Sequence, residues 1–157
     1  MFTNYHSPIG VLRIESGDGV CLDAVRFLQN EESPTPESSE SHPLLHEVQR
    51  QLDAYFAGTL KMFDLPLCMD ATPFTLKVWC ALQTIPYAET LSYAGVAERI
   101  GHRGAHRAVG NANGKNPFVI IVPCHRVIAA QGKLGGYSAG LERKVWLLQH
   151  EMGKVIK

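Results

Sequence analysis

The chain has 157 residues, 45% of them hydrophobic, which suits one medium domain or two small ones sharing a surface. No run of about 18 apolar residues is present, so a membrane-spanning helix is excluded. The formal net charge of zero hides a split: residues 1–72 carry four Lys/Arg against eleven Asp/Glu, net −7, and residues 73–157 carry eleven against four, net +7.

The second half therefore reads as a surface for a polyanion and the first half as a part that stays clear of it. The opening MFTNYHSPIG has no basic patch ahead of an apolar stretch, so no secretory signal is expected and the expected setting is cytoplasmic. Four scattered cysteines (Cys21, Cys68, Cys80, Cys124) form no CxxC pair, which predicts reduced thiols rather than a disulfide framework or a zinc knuckle. His42 and His46 could share a helical face, but no cysteine is near them in sequence, and no metal is expected.

Taken in order, turn clusters at Ser7-Pro8 and 16–19 separate short strands around 2–6, 11–15 and 20–28, a small antiparallel sheet. Residues 29–41, QNEESPTPESSES, are acidic and rich in Ser and Pro, and predict a loop. Leu44, Val48, Leu52 and Tyr55 recur at helical spacing until Gly58. A last strand over 63–67 precedes a boundary near 70–72. Nothing in this half proposes chemistry.

Thr72-Pro73 is an N-cap followed by proline at the first helical position. Phe74, Val78, Leu82 and Ile85 then keep helical spacing until Pro86. Ser92 caps a second helix through Ile100, Gly101 ends it, and a turn leads into AHRAVGNANG, a third short helix presenting Arg107. Two short helices joined by a glycine-containing turn suggest a helix-turn-helix, though such pairs are often only packing units.

Residues 118–128, FVIIVPCHRVI, organise the whole. Phe118 to Val122 predict a buried strand that Pro123 ends, and Cys124, His125 and Arg126 stand just beyond the break. A thiol beside an imidazole and a guanidinium is a plausible nucleophile mount, because cysteine attacks as thiolate; a buried structural cysteine is the alternative. Next come four glycines between 132 and 140 around Tyr137 and Ser138, able to let a flat ligand approach the backbone. Leu141, Val145 and Leu148 mark a closing helix that carries Glu151.

RAVGNANGKNP (107–117), IIVPCHRVI (120–128), GGYSAGLERK (135–144) and LLQHE (147–151) resemble the O6-alkylguanine-DNA alkyltransferases, the methylated-DNA–protein-cysteine methyltransferases. PCHR followed by GYSxG at this spacing is specific, and the likeness covers 72–151. The first half fits loosely, through SPIG and AYFAG. Ala88, Ala139 and Asn111 stand where small residues or glycine are expected, and His106 precedes the arginine.

The resemblance implies an α/β fold: a small ribonuclease H-like structural domain at 1–71, and a mainly helical DNA-binding and alkyltransferase domain with a winged helix-turn-helix at 72–157. It implies a single-turnover DNA repair enzyme that flips O6-alkylguanine out of the duplex and moves the alkyl group irreversibly onto Cys124. His125 would deprotonate the thiol, Glu151 would orient the imidazole, and Tyr93 and Ser138 would donate to the departing base. Asn116 resembles a hinge asparagine and Arg107 an arginine finger. Arg103, Lys115, Ala108 and Tyr93 would contact DNA; Tyr137, Ser138, Val127 and Tyr93 would hold the base. No cofactor or metal is implied, and the partner is double-stranded DNA containing alkylated guanine, bound by a monomer, with alkylthymine activity and cooperativity left open. The competing readings are a non-catalytic lesion sensor, against which Cys124 argues, and a helix-turn-helix regulator.

Overall fold

The structure, a computed structural model, describes residues 1–29 and 42–153; the acidic loop expected at 29–41 lies, apart from Gln29, outside them. The chain divides into two compact units, Met1–Met69 and Asp70–Lys157.

In the first unit, β1 (Phe2–Ser7), β2 (Gly10–Glu15) and β3 (Ala24–Phe27) form an antiparallel sheet in the order β1-β2-β3. Period-2 alternation buries Leu12, Ile14, Val25 and Phe27 on one face. Against it packs α1 (Pro43–Phe56), capped by His42 and burying Leu45, Val48, Leu52 and Tyr55 at helical spacing. The third strand is shorter than expected because Asp18 Oδ1 accepts from the amides of Val20 and Cys21, folding that stretch into a turn.

Residues 63–67 are not a strand. The buried Gln51 amide takes both backbone groups of Asp64, its Nε2 donating to the carbonyl at 2.9 Å and its Oε1 accepting from the N–H at 3.0 Å. Only an isolated bridge, Leu22 to Leu67, remains. That bridge corrects a second expectation. It brings Cys21 and Cys68 to a Cα separation of 5.4 Å, and the two are joined as a disulfide instead of standing as reduced thiols. Cys80 and Cys124 are free.

The second unit is helical. Thr72 caps α2 (Pro73–Leu82) by accepting from the Thr75 amide. Ser92 likewise caps α3 (Tyr93–Arg99) through the Gly95 amide, and a six-residue turn leads to α4 (His106–Gly114). Val78, Leu82, Val96, Ala97 and Val109 are buried within this helical unit, and the Trp79 indole donates to the Ala112 carbonyl at 2.9 Å. A two-residue parallel pairing joins β4 (Leu91–Ser92), at the mouth of α3, to β5 (Val127–Ile128), just past the cysteine. The unit closes with α5 (Leu141–Met152).

The expected strand at 118–122 is instead a tight buried turn. Backbone bonds run from Val122 N–H to the Phe118 carbonyl and from Ile121 N–H to that of Val119, with Ile120 at φ 71°. The Asn116 side chain supplies what a neighbouring strand would have: its Nδ2 donates to the carbonyls of Phe118 (3.2 Å) and Val122 (2.8 Å), and its Oδ1 accepts from Phe118 N–H (2.9 Å). An apolar run satisfied by one amide looks, in sequence, like one satisfied by a ladder. A β-branched residue at positive φ is costly, and it persists here because those bonds fix the turn.

Candidate active site

The turn delivers Cys124, His125 and Arg126 on one short 3-10 helix, all buried, with Cys124 1% exposed and His125 fully enclosed. His125 Nε2 lies 2.6 Å from Glu151 Oε2, and Glu151 comes from the last turn of α5, 26 positions away. Arg126 grips the same carboxylate, Nε to Oε1 at 2.8 Å and Nη2 to Oε2 at 3.2 Å, while its Nη1 donates to the Ile85 carbonyl. The Ala88 amide adds a bond to Oε1 at 3.3 Å. Ala88 sits at φ 67°, a left-handed conformation that explains why glycine is expected there.

The electrostatics follow from these partners. Burial pushes the Glu151 carboxyl up, but bonds to His125 and Arg126 outweigh it and hold the group well below the usual carboxylate range. Burial drives the His125 imidazole down despite Glu151, so at neutral pH the ring is neutral. With Nε2 facing a carboxylate, Nε2 carries the proton, and Nδ1, buried and without a protein partner, is left as the basic nitrogen.

The basic neighbours of Cys124 in sequence suggest a favoured thiolate, and the structure shows the opposite balance. Burial pushes the Cys124 thiol up, and Asn116, Lys144 and Tyr137 only partly offset it. The Tyr137 hydroxyl is buried without a good hydrogen bond and faces that thiol, which together with burial raises the phenol well above its ordinary value.

Beside this array is a cavity of about 200 Å³ lined by Tyr93, Gly110, Asn113, Gly114, Gly136, Tyr137 and Ser138. Asn113 Nδ2 donates to the Cys124 carbonyl at 3.3 Å, and Tyr137 faces the sulfur, so two lining residues touch the nucleophile turn. A Cβ on Gly135 would come within 3.1 Å of the Tyr93 ring, so glycine there permits the close approach. The Tyr93 hydroxyl reaches the Gly136 carbonyl at 3.5 Å. Val127, expected at the base, is fully buried and outside this lining.

Arg103, Arg107, Ala108 and Lys115 are exposed on or beside α4. Arg107, Gly110 and Gly114 stand at i, i+3 and i+7, one stripe of the helix, and the two glycines line the cavity while Arg107 lies one turn ahead of them. The second helix of the helix-turn-helix thus carries both a basic outer face and one side of the cavity.

Two residues with evident roles are absent from the site inferred from sequence. Arg126 reads in PCHR as a guanidinium beside the thiol but is given no role, and Lys144 is wholly buried. The available signal was that α5 places Lys144 and Glu151 on the same stripe as Leu147 and Leu148, two charges on a core face. As for a metal, Asp18, Cys21 and Cys68 bring ligand atoms within 4.8 Å of one another. With both sulfurs spent on the disulfide, they offer it one carboxylate.

Two family models match: the ribonuclease-like domain of 6-O-methylguanine DNA methyltransferase over residues 1–69, and its DNA binding domain over residues 73–153. The chain is 48% identical over 149 residues to a methylated-DNA–protein-cysteine methyltransferase of Methanosarcina acetivorans, spanning 94% of this chain and 95% of that one. It is 49% identical over 145 residues to a protein of the same name from Mycolicibacterium paratuberculosis, spanning 92% and 88%. Its structure is similar to that of Mycobacterium tuberculosis OGT in complex with DNA, with TM-score 0.85 and 46% identity, covering 98% of this chain and 94% of that one.

Proposed function

The chain belongs to the 6-O-methylguanine DNA methyltransferase family, and on that premise we propose that Cys124 is the residue that accepts the alkyl group. The protein repairs DNA by alkyl transfer, a methylated-DNA–protein-cysteine methyltransferase acting on DNA that carries alkylated guanine. One observation carries the residue assignment: a buried Cys124, with a His125–Glu151 pair beside it, adjoins a cavity walled by the second helix of a helix-turn-helix.

The thiol proton leaves Cys124 for Nδ1 of His125 through a bridging water, and Glu151 stabilises the imidazolium that forms. Sulfur attacks the alkyl carbon in line with the O6–C bond; an S–C bond forms as the O6–C bond breaks, and guanine departs with its oxygen's electron pair. Tyr93 and Ser138, on the cavity wall, donate to the charge developing on the base. The thioether has no leaving group, so each molecule acts once. Burial of the thiol requires the nucleotide to swing out of the stack, and Arg107, exposed on α4, fills the gap it leaves. Arg103, Lys115 and the Ala108 backbone hold phosphates without reading sequence. Residues 1–71 act structurally and 72–157 carry binding and transfer. A chromosomal substrate supports a cytoplasmic setting, and no helix among the described residues is long and apolar enough to cross a membrane.

Intact mass spectrometry after incubation with a duplex containing methylated guanine tests the assignment. One methyl group should appear, on the peptide holding Cys124, and Cys124→Ala should bind the duplex and gain nothing. Methylation of Cys80 instead would overturn it.

A further inference from the structure

Lys144 has no assigned part in the reaction, yet it is the most unusual charge in the second unit. It is 0% exposed, and its ammonium donates to three carbonyls: Val127 at 2.6 Å, Leu134 at 2.5 Å and Gly136 at 3.0 Å. Three converging acceptors match an ammonium, which has three donors and no lone pair; a neutral amine would leave one carbonyl unmatched. No carboxylate pairs with it among the described residues, since Glu151 is taken by His125 and Arg126. An unpaired buried cation is expensive, and the group whose ionisation would offset it is Cys124.

We propose that Lys144 is a positioning residue for the transfer, its ammonium clamping segment 127–136 against the cavity and supplying the counter-charge to the Cys124 thiolate as it forms. The clamp reaches the substrate side because the Gly136 carbonyl it holds also receives the Tyr93 hydroxyl. The counter-charge acts when sulfur loses its proton, which is where a fixed buried cation lowers the barrier most. Burial outweighs the attraction of Cys124 and brings Lys144 down to about 8, so the ammonium form still predominates at neutral pH. The inference rests on the alkyltransferase reading above.

Single-turnover transfer is measured against pH, from methylated duplex and from free O6-benzylguanine, for wild type, Lys144→Met, Lys144→Gln and Lys144→Arg. The other ionisable groups acting on the thiol or its phenol neighbour are Tyr137 itself, Tyr93 on α3, and Arg143 and Glu151 on α5; these and the adjacent His125 are all kept. In the Met and Gln variants the midpoint of the rise in rate with pH should move up by roughly one unit or more, and the rate at pH 7 should fall at least about tenfold. Lys144→Arg keeps the charge but not the three-carbonyl fit. It should hold the wild-type midpoint while saturating at higher free-base concentration. A folded Met variant with the wild-type profile overturns the proposal, as does an Arg variant whose midpoint moves with that of Met. If neither uncharged variant folds, the Arg midpoint decides: unshifted upholds the counter-charge, shifted upward removes it. A wild type that takes up no alkyl group is a different outcome, refuting the function itself.

Discussion

Glu151→Gln separates the charge of the buried carboxylate from its shape. Glu151 is fully enclosed at its side chain and accepts from His125, twice from Arg126 and from the Ala88 amide. Glutamine keeps the volume and one acceptor oxygen, but it leaves Arg126 charged, buried and, among the described residues, hydrogen-bonded otherwise to the Ile85 carbonyl. Breaking one partner of a buried pair costs about 3–5 kcal/mol. For a unit of this size that lowers Tm by on the order of 20 °C. The rate should fall by roughly ten- to a hundredfold, because the imidazolium loses its counter-charge while the Nε2 proton still finds an oxygen. His125→Ala, which removes the base, should be slower, by about a hundredfold or more, and Cys124→Ala inactive. Urea unfolding gives the first quantity and single-turnover transfer the second. The double variant Glu151→Gln/Arg126→Met should recover much of the lost stability without recovering the rate. A Glu151→Gln protein within about 1 kcal/mol of wild type and reacting equally fast would mean that the carboxylate is not the ionised centre of this array.

Three further outcomes follow from single features. Ala88→Gly removes the cost of a left-handed alanine and should stabilise the protein by about 1 kcal/mol in urea unfolding, despite the freer unfolded chain. Arg107→Ala should slow repair of duplex DNA while leaving transfer from the free alkylated base near wild type; equal losses on both would place Arg107 in the cavity rather than the stack. In native protein at pH 7.5 iodoacetamide should label exposed Cys80 first and Cys124 at least about tenfold slower, because the thiol is buried and its ionisation is pushed to higher pH. Cys21 and Cys68 should label only after reduction.

What the sequence showed well was local. Thr72-Pro73 and Ser92 announce helix starts because a capping oxygen acts within three residues. PCHR, the glycine-rich GYS segment and Glu151 stood out as residues, and the resemblance supplied their roles; the structure joins His125 to Glu151 across 26 positions. What it hid depends on distant partners. The turn at 118–122 reads as a strand because Asn116, not a ladder, closes its hydrogen bonds. The Cys21–Cys68 link spans 47 positions and rests on the Leu22–Leu67 bridge, which no spacing rule reveals. The direction of the thiol's shift was misjudged because adjacency to His125 and Arg126 suggested a positive surround. Arg126 is in fact turned onto Glu151, and burial dominates at the sulfur.

That reversal bears on how a protein used once keeps its nucleophile. A cysteine ionised at rest would be open to oxidants and stray electrophiles, and each such event would consume a repair molecule. Here burial holds Cys124 as a thiol, while the groups that would stabilise its anion (Asn116, Lys144 and Tyr137) are already beside it. None of them suffices alone against the cost of desolvation. The balance changes when a flipped base fills the cavity, since sulfur then faces a held alkyl carbon and proton loss is coupled to bond formation. Selectivity therefore comes from position: the thiol is a poor nucleophile toward whatever cannot enter the cavity beside Tyr93 and Tyr137, and a competent one toward what can.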